Sequence, residues 1–475
     1  MQSSDNNGSS IQCSTPNSAS YQRKPLVIVS LGLLLVSFSL SSIGLAIPFI
    51  SREFTLDISG SSWIMLSLLV TTTSLLLIAG RAGDIYGHRF FFITGYFVLA
   101  FSALVNGFAL NAPMLFAGRV IQGFGSAMIL TASPALISLS CPPGERGKAL
   151  GILSTCVYAG LMLGPPAGGY ILSYLGWRSI FFLTVPLALF TAITGGRMLS
   201  INEKISDEKM DWRGIAALIA GIPLLLVSIY QAPRWGWTSP ITLIMFAIGL
   251  ISIILFLLIE QDSEHPILEL KLFKSRMFTG SAVASVANYT ALTFSSFLMP
   301  FFLIEGLNLN SSTSGFLMAM QPFTMAVVSV PSGWMSDRIG SRGPAVTGML
   351  LISAALVGLS FVSLHGNSQY IVAIFLGIMG LGTGIFITPN TNALLNSAPV
   401  QHQGTASGVL AFARNFGMLL GTALSAYVFQ AWGGDTGQSW DKSDLTAFRV
   451  SMITASLVTI IGAATSAIKG NERSS

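Results

Sequence analysis

Charge is what this chain has least of. Only 9% of its 475 residues are Asp, Glu, Lys or Arg, against roughly a quarter in an ordinary soluble domain. All 19 acidic residues fall in tails, connections or the ends of apolar runs, and none stands well inside such a run. The three cysteines, Cys13, Cys141 and Cys156, lack disulfide or metal-ligand spacing and are read as reduced. The four histidines (His88, His265, His365 and His402) are scattered through connections and form no ligand cluster. With no nucleophile–base set, nucleotide-binding glycine loop or metal cluster, the sequence predicts neither enzymatic chemistry, nor a metal or cofactor, nor direct use of ATP.

What the chain has instead is apolar length. It is 52% hydrophobic, with a mean hydropathy of +0.70. A bilayer core needs about 20 mainly apolar residues per helical span. Fourteen such runs can be read, near 26–49, 60–80, 89–110, 113–138, 149–172, 177–199, 214–231, 239–259, 277–304, 313–335, 344–364, 369–394, 405–431 and 448–468. The first follows Arg23 and Lys24 and is too long for a signal-peptide core, so it is read as a retained helix. The lipid bilayer is therefore an expected partner.

Basic residues set the expected orientation. With the N-terminus inside, seventeen of the 24 Lys and Arg residues fall in cytoplasmic connections and tails, and five fall outside. Arg119 and Arg414 lie within spans. Both termini are therefore expected in the cytoplasm, in a multi-pass protein of the plasma (inner) membrane. The net charge of +5 reflects this topology and implies no nucleic-acid partner.

The chain also repeats itself. Residues 119–172 align without a gap on 376–429. Gly123, Gly125, Thr131, Gly160 and Gly164 recur as Gly380, Gly382, Thr388, Gly417 and Gly421. Upstream, Gly80, Asp84, Gly87 and Arg89 recur as Gly333, Asp337, Gly340 and Arg342. A duplicated helical bundle in a bilayer is the architecture of an alternating-access transporter, whose halves rock about a central site. The displacement between halves exceeds a six-helix half by roughly 65–80 residues, room for two more spans. The expected organisation is a disordered cytoplasmic tail (1–25), a six-helix bundle (26–199), a two-helix insert (200–276) and a second six-helix bundle (277–470). Twelve helices with a large central loop is the less apolar alternative.

Several motifs carry a family resemblance. The stretch 80–89, GRAGDIYGHR, resembles the loop between the second and third helices of the major facilitator superfamily. The stretch 115–125, LFAGRVIQGFG, resembles its fourth-helix motif, and 160–169, GLMLGPPAGG, its fifth-helix antiporter motif. Gly176-Trp177-Arg178, His265-Pro266-Ile267-Leu268 and Arg414-Asn415-Phe416-Gly417 are similar to stretches of the 14-helix drug:proton antiporter family within it. The resemblance spans about residues 26–470. It implies an all-α membrane fold of two six-helix bundles plus two inserted helices. It also implies a secondary transporter that exchanges protons for small amphiphilic drugs or metabolites, and a monomer.

Candidate sites follow from the residues themselves together with the resemblance. Gly80, Asp84, Gly87 and Arg89, with Gly333, Asp337, Gly340 and Arg342, would form a charged cytoplasmic turn that latches the bundles; a purely topological turn is the alternative. Gly160, Gly164 and Gly168 lie at i, i+4 and i+8, a smooth ridge for close helix approach. Pro165, Pro166 and Gly169 complete this antiporter motif, expected to bend at the bundle interface and seal the cavity. Arg119, Gln122, Arg414, Asn415, Asn288 and Gln321 are expected to supply the cavity and the coupling step, with Phe294 and Phe297 burying a ligand's body. Arg119, about 9 Å deep by helical rise, also has the option of snorkelling outward.

One departure stands out. Many 14-helix relatives carry a first-helix aspartate upstream of an Ala-Leu-Pro sequence. Here Ala46-Ile47-Pro48 fits the ending, but Ser39 stands at the aspartate position. A buried carboxylate is the usual carrier of a coupled proton, so the cavity is expected to be neutral to positive and to prefer neutral or anionic amphiphiles over dications. Export or uniport of one metabolite without proton coupling is the nearest alternative function, and a non-transporting membrane sensor is one of another class.

Overall fold

The computed structural model describes residues 23–141, 146–199, 211–236, 238–262, 270–364, 368–399, 403–435 and 440–467. They form fourteen long helices and, among the described residues, no strand. The first six are α1 (Arg23–Glu53), α2 (Ile58–Tyr86), α3 (His88–Gly107), α4 (Ala112–Ser140), α5 (Arg146–Leu175) and α6 (Arg178–Met198). An inserted pair follows, α7 (Trp212–Trp235) and α8 (Pro240–Asp262). The last six are α9 (Arg276–Phe301), α10 (Ser311–Ile339), α11 (Arg342–Ser360), α12 (Ser368–Asn396), α13 (Gln403–Ala431) and α14 (Lys442–Ala467). Thirteen are long and apolar enough to cross a membrane by length and composition. The fourteenth, α10, is as long as α2 but richer in Ser, Thr, Gln and Pro, and it packs between α5 and α12.

The sequence repeat becomes a structural one through shared start and stop devices. Asp57 caps α2 by accepting from the Gly60 amide at 2.7 Å, and Asn310 caps α10 by accepting from the Thr313 amide at 2.8 Å. Each side chain satisfies an amide that the first helical turn leaves unpaired. At the other ends Gly87 (φ 97°) and Gly340 (φ 81°) stop the same two helices, in backbone conformations a side chain would strain. The stretches 80–86 and 333–339 are therefore the last turns of α2 and α10, and the sharp turn expected across 80–89 is confined to a single glycine.

Repeated glycines make the same contacts in both bundles. Gly123 in α4 meets Leu68 and Thr71 of α2, while Gly380 in α12 meets Gln321 and Thr324 of α10. Gly125 packs on the α3 backbone at Gly95, and Gly382 on the α11 backbone at Gly348. Hydroxyls bond across two other helix pairs, α1–α5 and α9–α13: Ser41 donates to the Gly160 carbonyl at 3.3 Å, and Thr290 to the Gly417 carbonyl at 3.2 Å. Small residues permit close backbone approach where no hydrophobic effect drives helices together.

The two bundles meet along α5–α10 and α2–α13, seams related by the repeat. The inserted pair leans on α2 at one seam. There Tyr230 of α7 packs edge-on against Trp63, donates to the Ser59 carbonyl at 2.6 Å and shares a hydrogen bond with the Ser62 hydroxyl. Helix α8 is apolar and largely exposed, as expected of a lipid-facing helix.

Candidate functional site

A cavity of about 410 Å³ lies between the bundles at mid-helix depth. Its walls come from both halves: Leu40, Ser41, Met65, Leu69, Gln122 and Tyr158 on one side, Tyr289, Met299, Met318, Gln321, Arg414 and Asn415 on the other. Most of the lining is aliphatic or Met, with a few convergent hydroxyl, amide and guanidinium groups, as small-molecule pockets usually are. No Asp or Glu is among the lining residues.

Polar contacts between the bundles close one end. Arg52 Nε at the end of α1 donates to Glu305 Oε1 at 3.1 Å, in the π-helical turn Phe302–Gly306 that extends α9. Ser59 donates to Gln430 Oε1 at 2.7 Å, and the hydroxyls of Ser173 and Ser312 lie 3.2 Å apart. Gly169 abuts the Ser311 carbonyl, and Gly315 abuts the Pro165 carbonyl. Beside this seal, Arg178 holds Glu53 through two hydrogen bonds of 2.9 and 2.6 Å, and Trp177 Nε1 adds a third at 2.7 Å. The Trp177-Arg178 pair thus clamps α1 to α6 within one bundle.

At the opposite end, the Asp84 carboxylate pairs with His88 at 3.1 Å, inside its own bundle, and its side chain is 56% exposed. Arg89 donates to the Gly196 carbonyl of α6 at 2.7 Å, again within that bundle. Gly80 faces Thr131 of α4 and Gly333 faces Thr388 of α12, a contact repeated in both halves. The side chain of Asp337 and the stretch His265–Leu268 lie outside the described residues.

Three expectations about the site are corrected. The ridge of Gly160, Gly164 and Gly168 does not lie on the bundle interface. It packs on Leu34, Phe38, Ser41 and Ser42 of α1 in the same bundle, and the interface falls to Pro165, Pro166 and Gly169, which meet α10. Arg119 does not snorkel and does not line the cavity. It is fully buried, with Nε donating to the Ile64 carbonyl at 2.8 Å and Nη1 to Gln122 Oε1 at 2.7 Å. Only Gln122 relays it to the cavity wall. Asn288, Phe294 and Phe297 are buried in helix packing away from the cavity, and both amide atoms of Asn288 lack a hydrogen-bond partner. Arg414, Asn415, Gln122 and Gln321 do share the cavity. Ser39, at the position where the resemblance implies an aspartate, is buried outside its lining.

Sequence reasoning missed Tyr158, Tyr289, Arg52 and Glu305. The two tyrosines gave no signal beyond their composition, and Arg52 and Glu305 looked like ordinary loop charges.

This geometry, two repeated bundles around a central cavity sealed at one end, has a counterpart in sequence space. Residues 29–265 and 281–473 match the Major Facilitator Superfamily. The chain belongs to that family. Its relatives are transporters, and the chain is accordingly a multi-pass membrane transporter and not an enzyme. The riboflavin transporter RibZ of Clostridioides difficile is 28% identical over 410 residues, covering 85% of this chain and 87% of RibZ. The tetracenomycin C resistance and export protein of Streptomyces glaucescens is 28% identical over 424 residues, 88% of this chain and 78% of its own length. The methylenomycin A resistance protein of Bacillus subtilis is 27% identical over 428 residues, 89% and 90%. A superfamily member of this shape works by exposing its central cavity to one side and then the other.

Proposed function

We propose that this superfamily member exports small amphiphilic molecules across the plasma membrane, taking them up from the side of the Asp84 turn. The distribution of Lys and Arg supports placing that side, and both termini, in the cytoplasm. The observation that carries the reading is the cavity: about 410 Å³, walled by aliphatic and Met side chains from both bundles and sealed at the Glu305 end. Such a chamber accepts a small apolar body together with a few polar contacts. Relatives named for export of tetracenomycin C and for transport of riboflavin support a small-molecule cargo.

The resemblance to drug:proton antiporters makes proton exchange the first choice of driving force, with Arg119 and Gln122 linking helix packing to the cavity. A second reading is favoured by one observation. No carboxylate lines the cavity, so the usual proton carrier is missing where substrate and proton would compete. Uncoupled export of a single metabolite fits that wall. Flux through purified protein in liposomes, across a panel of amphiphiles, tests both. Uptake driven by a proton gradient directed out of the liposomes supports antiport, and uptake indifferent to the gradient supports the uncoupled exporter. No flux of any panel compound would overturn export.

A further inference from the structure

The two arginines at membrane depth are treated in opposite ways. Arg119 is enclosed and hydrogen-bonded to Ile64 and Gln122. Arg414 lies about midway along α13, lines the cavity, and has no hydrogen bond or ion pair among the described residues. Its electrostatic neighbours are the phenols of Tyr158 and Tyr289, which themselves interact and also line the cavity. Tyr158 belongs to α5 in the first bundle; Tyr289 and Arg414 belong to α9 and α13 in the second.

An arginine within a span ordinarily pairs with an acid or with backbone carbonyls. Here the guanidinium presents a planar fork of donors to an apolar chamber without a carboxylate, and that fork matches an oxyanion held in two parallel hydrogen bonds. The two phenols, which line the same cavity, add O–H donors. Asn415 lines the same cavity and spends one of its two amide N–H donors on the Ala411 carbonyl at 2.8 Å, which leaves one N–H beside the guanidinium. We propose that Arg414, Tyr158 and Tyr289 form a subsite for the single oxyanion of a monoanionic amphiphile, a carboxylate or sulfonate on an apolar ring body. The body lies against Leu40, Met65, Met299 and Met318. A bound anion bridges the two bundles, because its donors come from both. The proposal rests on the cavity being the transport site.

The test uses full-length protein in lipid nanodiscs and probes that differ only in the anion. The pairs are anilinonaphthalene sulfonate with N-phenylnaphthylamine, and pyrene carboxylate with pyrene methanol; empty nanodiscs give the background. The anionic member of each pair is expected to bind at least tenfold more tightly. Arg414→Gln should remove that preference while leaving affinity for the neutral member unchanged, which also shows that the variant is folded. Should Arg414→Gln lose the neutral probe as well, the Tyr158→Phe, Tyr289→Phe double variant is measured instead, with a several-fold loss for the anionic probe alone expected. Equal affinity within both pairs, or a preference that survives these changes, overturns the subsite. Because binding is read without flux, an intact anion preference in a protein that transports nothing would sink the export reading and leave the subsite standing.

Discussion

Arg52 and Glu305 form an ion pair of 3.1 Å that joins the end of α1 in the first bundle to the end of α9 in the second. The carboxylate is almost wholly buried, with 1% of its side chain exposed, whereas Arg52 remains 46% exposed. The pair therefore sits at the mouth of the seal. Parting of the bundles there would break it and leave the buried carboxylate without this partner.

Glu305→Gln keeps the shape of the side chain and removes the charge. It should shift the protein toward the state open at the Glu305 end. A partly exposed ion pair is worth about 1 kcal/mol, somewhat more with one partner buried, so a five- to thirty-fold change in the open-to-closed ratio is expected. Spin labels at Leu110 and Thr446, exposed positions in opposite bundles at that end, would report it as a longer distance component. An unchanged distance distribution in Glu305→Gln and in Arg52→Gln would show that the pair does not hold the seal.

The glycines of the fifth-helix motif should separate into two classes. A side chain at Gly164 meets the Phe38 carbonyl at 3.0 Å and the Ser41 hydroxyl, inside the first bundle. Gly164→Leu should therefore cost stability, about 1–3 kcal/mol as overpacking usually does, and appear as a lower melting temperature in detergent. A side chain at Gly169 meets the Ser311 carbonyl of α10, across the seam. Because it also meets buried Leu45 of α1 at 3.0 Å, Gly169→Leu should cost some stability too, but unlike Gly164→Leu it should prevent closure at the Glu305 end, lengthening the same label distance. If both variants melt alike and neither changes the distance, the division between packing ridge and seal is wrong.

How much of this could be read from sequence depends on which physical signal was available. The duplication, the fourteen apolar runs and the glycines that end α2 and α10 are written in residue type, because Gly87 and Gly340 do the same local work wherever the helix points, whereas the caps Asp57 and Asn310 were not singled out. Facing is different. In water an apolar stripe marks the inward side of a helix, but in lipid both sides are apolar and the stripe vanishes. Asn288 was expected in the cavity and its neighbour Tyr289 was not singled out; a rotation of about 100° per residue reverses the outcome. The glycine ridge was legible as a ridge, while the helix it meets, α1 rather than α10, depends on tertiary packing alone.

At the Asp84 end the described contacts stay within the first bundle, and Asp84→Asn tests whether the turn nevertheless acts as the latch expected from the sequence. The substitution removes a charge and almost no volume, and it weakens the contact to His88. The expected outcome is normal membrane insertion and melting with at least a tenfold loss of flux for whichever compound the liposome panel identifies. Normal flux in a well-folded variant would reduce the turn to a topological element.

Energetics supply the last prediction. Moving one elementary charge across the membrane is worth about 2.3 kcal/mol per 100 mV, roughly a fifty-fold concentration ratio at one decade per 1.4 kcal/mol. If the cargo is a monoanion held by Arg414, an inside-negative potential drives it outward with no proton carrier required, which would account for a cavity wall without carboxylates. In liposomes clamped by a potassium gradient and valinomycin, with no pH difference, a transported monoanion should accumulate on the positive side toward that ratio. Its neutral partner should equilibrate without accumulation. Accumulation of the anion that follows an imposed pH gradient and ignores the potential would establish electroneutral proton coupling instead, and would require a titrating group outside the cavity wall.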